Sequence, residues 1–263
     1  MENAKALVLV FPGTNCQVET SLALKNAGFN VVKAHVNELL RGEQDLEDYH
    51  LLALPGGFSF GDDVASGKIG ANKLVFLLRD RVFEFARQRL IIGICNGFQT
   101  LVKAGLLPAI DNKFEVQATL TFNDIGHFYC NYVTVKNVNK GKCIYTKGID
   151  RIEFPVAHGE GKFVVKDPKI LKTLVQNDQI VFKFILPNGE PAKGRFPYNT
   201  SNTTDDITGI CDPSGRIFGM MPHPERYLFK EDHPRWTSGG GSDEYNGNII
   251  FQNAHSWIVE NLL

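Results

Sequence analysis

This 263-residue sequence has few cysteines, no long apolar run and no excess of either charge. Lys and Arg number 28 against 29 Asp and Glu, and the resulting net charge of −1 argues against a nucleic-acid-binding surface or a polybasic membrane contact as the main activity. No run of about 18 apolar residues occurs, so we expect no membrane-spanning helix. The apolar run at residues 6–11 is too short for a signal peptide and predicts a buried strand.

The few cysteines are scattered and odd in number, and they form no CxxC pair. They are Cys16, Cys95, Cys130, Cys143 and Cys211. This usage is typical of a reducing compartment, so we expect a cytoplasmic protein without a disulfide framework. Neither HExxH nor PCxxC occurs, so we expect no metal site.

One glycine-rich segment, residues 61–69, superficially matches a phosphate-binding loop. Five residues separate its two glycines where four are required, and Ile69 stands where Ser or Thr would bind magnesium. The segment therefore predicts no nucleotide binding.

Strand-like and helix-like patterns alternate through the first part of the chain, which predicts an α/β fold with a mostly parallel sheet. Strands are expected at 6–10, 30–36, 51–54 and 90–94, and one amphipathic helix at about 72–89. Beyond residue 113 the strict alternation at 114–122 indicates half-exposed strands, so we expect an antiparallel extension over about 113–222. A closing helix is expected at about 247–262, and residues 1–263 are expected to form one domain.

A candidate nucleophile stands in Gly93-Ile94-Cys95-Asn96-Gly97, between a short apolar strand and a helix-like stretch. This is the setting of a nucleophile elbow with sulfur in place of oxygen. Glycines two residues on either side remove Cβ atoms that would clash at a sharp turn, and the N-terminus of the following helix would stabilise a thiolate. The alternative is a small buried core cysteine. Cys16 follows a turn and could lie near the same sheet edge.

A cysteine nucleophile needs a histidine base and a group that orients it. Two H-x-E patterns compete, His158-Gly159-Glu160 and His223-Pro224-Glu225. Residues i and i+2 of an extended segment face the same way, and a following proline favours the extended conformation, so His223 with Glu225 is the preferred pair. His158 stays open as the alternative base.

The glycines of Pro55-Gly56-Gly57 follow the predicted strand 51–54. Ligands of parallel sheets bind beyond the carboxyl ends of the strands, where Cys95 is also expected. Backbone N–H groups of Gly57 and Asn96 are therefore candidates for an oxyanion hole, in which one donor is worth about 3 kcal/mol. The alternative is a tight turn without function.

These motifs resemble those of a known family. The Cys95 motif with Gln99 four residues on resembles class I glutamine amidotransferases, whose fold is flavodoxin-like. Residues 55–62, 155–161 and 221–226 are similar to motifs in the glutaminase subunits of phosphoribosylformylglycinamidine synthase. The resemblance covers most of the chain, from Pro12 to Arg226, with four separated motifs in the right order.

The resemblance implies a role for each motif. Cys95 would attack the side-chain amide of glutamine, His223 would relay protons and Glu225 would orient it, with Gly57 and Asn96 as the oxyanion hole. The α-amino and carboxylate end of glutamine would be bound by the following residues: Gln99, His158, Gly159, Glu160 and Gly161.

The resemblance also implies partners. Ammonia would pass to a larger synthetase subunit that binds ATP, Mg²⁺ and formylglycinamide ribonucleotide, and many bacterial versions use a small third subunit. No cofactor is then expected in this chain, and no nucleic acid or membrane as a partner.

The chain departs from the family pattern in two extended loops, 190–206 and 227–247, and we expect neither to touch the catalytic motifs. Three other functions stay open: a stand-alone cysteine hydrolase of the same fold, a non-enzymatic redox sensor that uses Cys95, and the same glutaminase chemistry serving another synthetase. The redox function leaves His223, Glu225 and Gln99 without a role.

Overall fold

The computed structural model describes residues 3–263. The strands in this range are Lys5–Val10 (β1), Asn30–His35 (β2), Leu51–Leu54 (β3), Leu90–Ile94 (β4), Ala118–Thr121 (β5), Tyr129–Asn137 (β6), Arg151–His158 (β7), Lys162–Val165 (β8), Ile180–Phe184 (β9), Ile207–Cys211 (β10) and Ile217–Met220 (β11). The α-helices in it are Gln17–Asn26 (α1), Val36–Arg41 (α2), Lys68–Leu77 (α3), Arg79–Gln88 (α4), Asn96–Lys103 (α5), Pro168–Gln176 (α6) and Asn248–Asn261 (α7). None of these helices is long and apolar enough to cross a membrane.

The main sheet of the described range has nine strands in the order β2-β1-β3-β4-β11-β10-β9-β6-β7. The first five run parallel to one another, and each later strand is antiparallel to its neighbour. The predicted α/β class, a parallel sheet with an antiparallel extension, is confirmed. Because β11 pairs in parallel with β4, the last strand of the predicted extension belongs to the parallel part.

The parallel strands form where the sequence has short apolar runs. Every residue of β3 and β4 is buried, as expected for strands that have helices on both faces. Gly219 of β11 lies opposite Gly93 of β4, and a Cβ at Gly219 would stand 2.1 Å from the Phe98 ring. The two glycines therefore let α5 pack close to the sheet.

The prediction of one helix over 72–89 was wrong, because the chain forms two helices that meet at Leu78. Leu78 leaves the helical region with φ −127° and ψ 14°. Leu74, Leu78 and Val82 are all buried, so the apolar spacing continues through the break. Periodicity alone could not reveal a change of helix axis at a residue that keeps its place in the pattern.

The predicted strand 114–122 is shorter than expected, since only Ala118–Thr121 is extended. It pairs with β8 in a separate two-stranded sheet instead of joining the main sheet. β8 itself, α2 and α6 were not predicted. For α6 a start signal was present, because the Asp167 carboxylate accepts from the Lys169 N–H at 2.8 Å and Pro168 occupies the first helical position.

Candidate active site

The residues that follow the parallel strands lie together at one edge of the sheet. Residues 12–16 follow β1, residues 55–57 follow β3, Cys95 follows β4 and residues 221–223 follow β11. Thr14 pairs with Gly57 in an isolated bridge. Strand β7 reaches the same place at Pro155, whose carbonyl accepts from the His223 N–H at 2.8 Å. The topology therefore assembles the sequence motifs at a single edge.

Cys95 has the backbone of a nucleophile elbow. Its φ of 51° and ψ of −106° mark a sharp turn between β4 and α5. A Cβ on Gly93 would lie 2.6 Å from Leu101 Cδ1, and one on Gly97 would lie 1.9 Å from the Leu54 carbonyl oxygen. The two flanking glycines are thus required for the helix to leave the strand at this angle.

The Cys95 side chain is only 4% exposed, and its Sγ lies 3.7 Å from the Ala157 carbonyl oxygen. The Cys95 N–H donates to the Met220 carbonyl at 2.8 Å, which ties the elbow to the adjacent strand β11. Because Cys95 directly precedes α5, the positive end of the dipole of this helix lies at the sulfur. The thiol is fixed in place beside the strand end that leads to His223.

His223 and Glu225 form a buried pair. The distance from His223 Nδ1 to Glu225 Oε1 is 2.7 Å, and each residue is 1% exposed. Burial, the largest influence, favours the neutral ring, but the Glu225 carboxylate and the thiols of Cys95 and Cys16 outweigh it and raise the pKa of His223 well above its ordinary value. The charged imidazolium is therefore the favoured form.

The reason given for the His223–Glu225 pairing was wrong. The expected extended segment is a short 3₁₀ turn, Pro224–Arg226, with Pro224 at its first position. The turn, and not strand alternation, brings the carboxylate back onto the ring. Among the described residues, His223 Nε2 and Glu225 Oε2 are buried without a hydrogen-bond partner. Nε2 is thus the ring nitrogen left open for a further contact.

The two candidate oxyanion-hole residues are held in place by different contacts. Gly57 has φ +143°, and a Cβ there would lie 2.6 Å from the Asn15 nitrogen. The Asn96 side chain donates to Asp62 Oδ1 at 3.0 Å and accepts from the Ser59 N–H at 3.3 Å. Both backbones are therefore fixed at the sheet edge, within the loops that follow β3 and β4.

Of the five candidate glutamine-binding residues, Gln99 lies within α5 and the other four form the loop 158–161. Their side chains mostly bind one another or other parts of the protein. Gln99 donates to the Glu160 carbonyl and accepts from Asn96 Nδ2 at 3.1 Å. The Ser66 N–H donates to both carboxylate oxygens of Glu160, at 3.1 and 3.2 Å, and Lys103 Nζ lies 3.8 Å from one of them. Burial lowers the pKa of Lys103 despite the attraction of Glu160. The contacts hold the loop 158–161 onto the nucleophile helix.

His158 is buried in a neutral environment. Its Nδ1 lies 3.1 Å from Asn123 Oδ1, and its Nε2 lies 3.5 Å from Thr200 Oγ1. Asn123 Nδ2 donates to the His158 carbonyl at 2.8 Å, which leaves Oδ1 as the acceptor for the ring. Burial, with a smaller repulsion from His223, lowers the pKa of His158 to about 3. A neutral ring held on both nitrogens suits support of the loop better than proton transfer.

The expectation that the two extended loops avoid the catalytic motifs was wrong. Thr200 of loop 190–206 contacts His158, as described above. In loop 227–247, Gly247 packs so closely that a Cβ there would lie 1.8 Å from the Pro224 carbonyl oxygen. Such contacts join residues far apart in the chain, and loop length alone does not reveal them.

Cys16 lies at the same sheet edge, as its place after a turn suggested, and directly beside His223 and Glu225. Its side chain is 1% exposed, and its Sγ lies 3.1 Å from Arg226 Nη2. Ligand atoms of Cys16, His223 and Glu225 all lie within 4.8 Å of one another, which is close enough for a metal ion. The guanidinium of Arg226 on the sulfur opposes a cation there by charge repulsion. The absence of a resident metal stays a prediction.

Comparison with known proteins supplies independent information on the whole chain. A family model described as the CobB/CobQ-like glutamine amidotransferase domain matches residues 3–258. The phosphoribosylformylglycinamidine synthase subunit PurQ of Dehalococcoides mccartyi is 42% identical over 258 residues, 98% of this chain and 98% of the relative. The same subunit of Methanococcus maripaludis is 42% identical over 249 residues, 94% of this chain and 90% of the relative.

Solved structures are also similar over nearly the whole length. A chain in the structure of PurLQS from Thermotoga maritima is 29% identical, with a TM-score of 0.72. The match covers 98% of this chain and 100% of that chain. Similarity in sequence and in fold therefore extends over the loops and strands that carry the site, and not only over the motifs.

Proposed function

Because this chain belongs to the CobB/CobQ-like glutamine amidotransferase family, and within it to the PurQ subunits of phosphoribosylformylglycinamidine synthase, we propose that it is the glutaminase subunit of that synthase. It hydrolyses glutamine to glutamate and ammonia. The ammonia serves a synthetase subunit that converts formylglycinamide ribonucleotide to formylglycinamidine ribonucleotide in purine biosynthesis. The observation that carries the chemistry is the Cys95 elbow beside the buried pair of His223 and Glu225.

Acylation begins at the sulfur. The Cys95 thiolate attacks the side-chain amide carbon of glutamine, and the carbonyl electron pair moves onto oxygen as the C–S bond forms. The N–H groups of Gly57 and Asn96 stabilise this oxyanion. His223 gives its Nε2 proton to the amide nitrogen, the C–N bond breaks, and ammonia leaves a γ-glutamyl thioester on Cys95.

Deacylation reverses the proton flow. Neutral His223 takes a proton from water at Nε2 while the water oxygen attacks the thioester carbon. The C–S bond then breaks, glutamate is released, and the sulfur and imidazolium return to their starting states. Glu225 stabilises the imidazolium through the 2.7 Å contact to Nδ1 and fixes the ring orientation in both half-reactions.

Glutamine recognition is proposed for the first turn of α5 and the loop 158–161. Gln99 and Glu160 join these segments through a side-chain to carbonyl hydrogen bond. Gly159 has no atom within 4 Å of its Cβ position in the described chain, which leaves room for a ligand beside the loop, while its carbonyl accepts from the Asn123 N–H at 2.8 Å. His158 and Gly161 shape the loop, because a Cβ on Gly161 would lie 2.2 Å from the His158 ring. The loop then presents backbone groups to the amino and carboxylate end of glutamine.

The proposed partners are the large synthetase subunit and a small third subunit, supported by the similarity to a chain of PurLQS. ATP and Mg²⁺ are proposed to bind the synthetase subunit, with no cofactor in this chain. Two aspartates, Asp62 and Asp63, stand in the segment that superficially matches a phosphate loop, where they would repel phosphate. We further propose that residues 1–263 act as one glutaminase domain, since one sheet carries both the parallel and antiparallel strands.

The proposed location is the cytoplasm. All five cysteines in the described chain are free thiols, and four of them are buried. Unpaired thiols in this number suit a reducing compartment.

Replacement of the nucleophile tests the proposed division of labour. In the assembled complex, Cys95→Ala should abolish glutamine-dependent synthesis, because no other group at the elbow can form the thioester. Synthesis from added ammonia should survive, since the synthetase site is on the partner. Both rates and the assembly state would be measured together. Loss of both activities in an intact complex would contradict the proposal.

Covalent labelling tests the glutamine site directly. A diazo-ketone analogue of glutamine should give a single adduct on Cys95, and excess glutamine should suppress it. Intact mass and peptide mapping would locate the adduct, with and without the synthetase subunit. A Cys95 that reacts with a generic alkylator but never with the analogue, even in the complex, would favour a stand-alone hydrolase with a different substrate.

A further inference from the structure

A second buried thiol lies beside the base, and the chemistry above does not use it. Cys16 immediately precedes α1, and its backbone is fixed by the bond from its N–H to the Gly56 carbonyl at 3.2 Å. Its carbonyl accepts from the Thr20 N–H at 3.0 Å and from Thr20 Oγ1 at 2.7 Å. The position of the sulfur is therefore set by the start of the helix and by the strand end that carries Gly56.

The sulfur and the His223 ring pack against the same glycine. A Cβ on Gly56 would lie 2.7 Å from His223 Cε1 and 3.3 Å from Cys16 Sγ. Cys16 Sγ is also one of the three ligand-type atoms that lie within 4.8 Å of one another with those of His223 and Glu225. The ring is thus confined by Gly56, by the Glu225 carboxylate and by the sulfur of Cys16.

Arg226 holds the sulfur from the other side. Its Nη2 donates to Cys16 Sγ at 3.1 Å, and Asn15 Oδ1 lies 3.2 Å from the same sulfur. Burial disfavours the charged guanidinium, but Cys16 and Glu225 outweigh it and raise the pKa of Arg226. Four groups therefore lie in a row: the Arg226 guanidinium, the Cys16 sulfur, the His223 imidazolium and the Glu225 carboxylate. Each of the two cations in this row has an electron-rich neighbour.

We propose that Cys16 is a positioning residue for His223, with Arg226 as the anchor of its sulfur. The sulfur keeps the ring turned so that the unpartnered Nε2 stays available to Cys95, while Glu225 holds Nδ1. Cys16 takes no part in bond making, since Cys95 alone stands on the elbow at the N-terminus of α5. This inference rests on the proposed glutaminase function, because His223 must first be its base.

The test compares Cys16→Ala and Cys16→Ser with Cys143→Ala, a matched change at a buried cysteine next to a different turn, Ile144–Thr146. Alkylation of Cys95 by iodoacetamide is followed from pH 5 to pH 9 by peptide mapping. In Cys16→Ala we expect the rate at pH 6 to fall about 3-fold or more and the rate at pH 9 to stay unchanged, because a less stabilised imidazolium supports less thiolate at low pH. Cys143→Ala should follow the wild-type profile.

Steady-state kinetics in the assembled complex give the second readout. Cys16→Ala should lower kcat for glutamine about 10-fold, because the ring loses the sulfur packed beside it and the sulfur's bond from the Arg226 guanidinium is lost, with KM within about 2-fold. Cys16→Ser should recover part of kcat, and ammonia-dependent synthesis should be unchanged in both. Superimposable pH profiles for wild type and Cys16→Ala, or a change confined to KM, would overturn the proposal.

Arg226→Gln keeps the inference testable if Cys16→Ala does not fold. Loss of the anchor should move the alkylation profile in the same direction by a smaller amount, and an unmoved profile would refute the positioning role. Alkylation needs no glutamine, so it separates the two proposals. One outcome would contradict the glutaminase function alone: Cys16→Ala changes the alkylation profile as expected, but the wild-type protein never forms a glutamyl thioester. The positioning role of Cys16 would then still hold.

Discussion

The two H-x-E segments of this protein have the same pattern and opposite electrostatics. His158 and His223 are both almost fully buried, at 3% and 1% exposure. Burial and a small repulsion lower the pKa of His158 to about 3. Burial acts in the same direction on His223, but the carboxylate of Glu225 and two thiols raise its pKa well above the ordinary value. The partner of the ring, and not the depth of burial, decides which histidine carries charge.

The carboxylates of the two patterns explain the difference. Glu225 returns onto its own histidine through a 3₁₀ turn and contacts Nδ1 at 2.7 Å. Glu160 turns away from His158 to the Ser66 N–H and Lys103, and an amide oxygen of Asn123 takes its place at the ring. One segment therefore presents a charged ring, which suits the proton transfer proposed for it, and the other presents a neutral ring held within a loop. The same three-residue pattern cannot distinguish these roles.

The largest effect is expected from removal of the charged ring. His223→Ala should lower the rate of thioester formation by roughly 10²–10⁴, the usual contribution of a general acid–base group. Single-turnover measurement of ammonia release in the complex gives this rate. An unchanged rate would transfer the role of base to His158 and reverse the comparison of the two segments.

Removal of the orienting charge is expected to have the next largest effect. Glu225→Gln should lower the acylation rate by roughly 10²–10⁴, because the imidazolium loses its counter-charge and the ring its fixed orientation. Loss of Glu225 should also lower the pKa of His223, so the step that this imidazolium gives to the pH profile of Cys95 alkylation should move to lower pH. Glu160→Gln is the matched change, and it should leave that pH in place because its carboxylate contacts no histidine. Equal shifts in both variants would refute the distinction.

The supporting role of the His158 segment can be tested by its two glycines. Gly161→Ala places a Cβ 2.2 Å from the His158 ring, and we expect a loss of about 1–3 kcal/mol in the free energy of unfolding from this overpacking. Gly159→Ala is the control in the same loop, since the described structure places no atom within 4 Å of its Cβ position. Urea denaturation of both variants gives the comparison, and equal stabilities would show that the ring is free to move away.

The smallest effect concerns the pH dependence of stability. A folded pKa of about 3 for His158 lies below the unfolded value of about 6.5, so its contribution is present above pH 6.5 and is lost as the pH falls towards 3. His223 has the opposite sign, since its stabilisation is present below about pH 6.5 and is lost as the pH rises through its folded pKa.

A variant isolates the acid side of this dependence. Between pH 6.5 and pH 5, His158→Gln should remove about 2 kcal/mol of the wild-type loss of stability, at about 1.4 kcal/mol per pH unit. Urea denaturation at the two pH values measures the difference. An identical loss in wild type and variant would mean that His158 is charged, or exposed, in the folded protein.

Much of the fold could be predicted because its signals are local. The buried runs at 51–54 and 90–94 became strands with the expected bounds. The break at Leu78 escaped prediction since the apolar spacing continues across it. The pairing of β5 with β8 escaped it because an alternating pattern shows that one face is buried but not which strand lies beside it.

The amino-acid sequence by itself determined the elbow, the parallel core and the identity of the motif residues, because a Gly-x-Cys-x-Gly turn and short apolar strands depend on near neighbours. Only the tertiary structure decided what surrounds each motif. The Arg226–Cys16 contact spans 210 residues of sequence, and the His158–Asn123 contact spans 35. The charge of a buried ring is set by whichever groups the chain brings against it. Apart from Glu225, which the local H-x-E pattern supplies, those groups come from distant segments that no local pattern links.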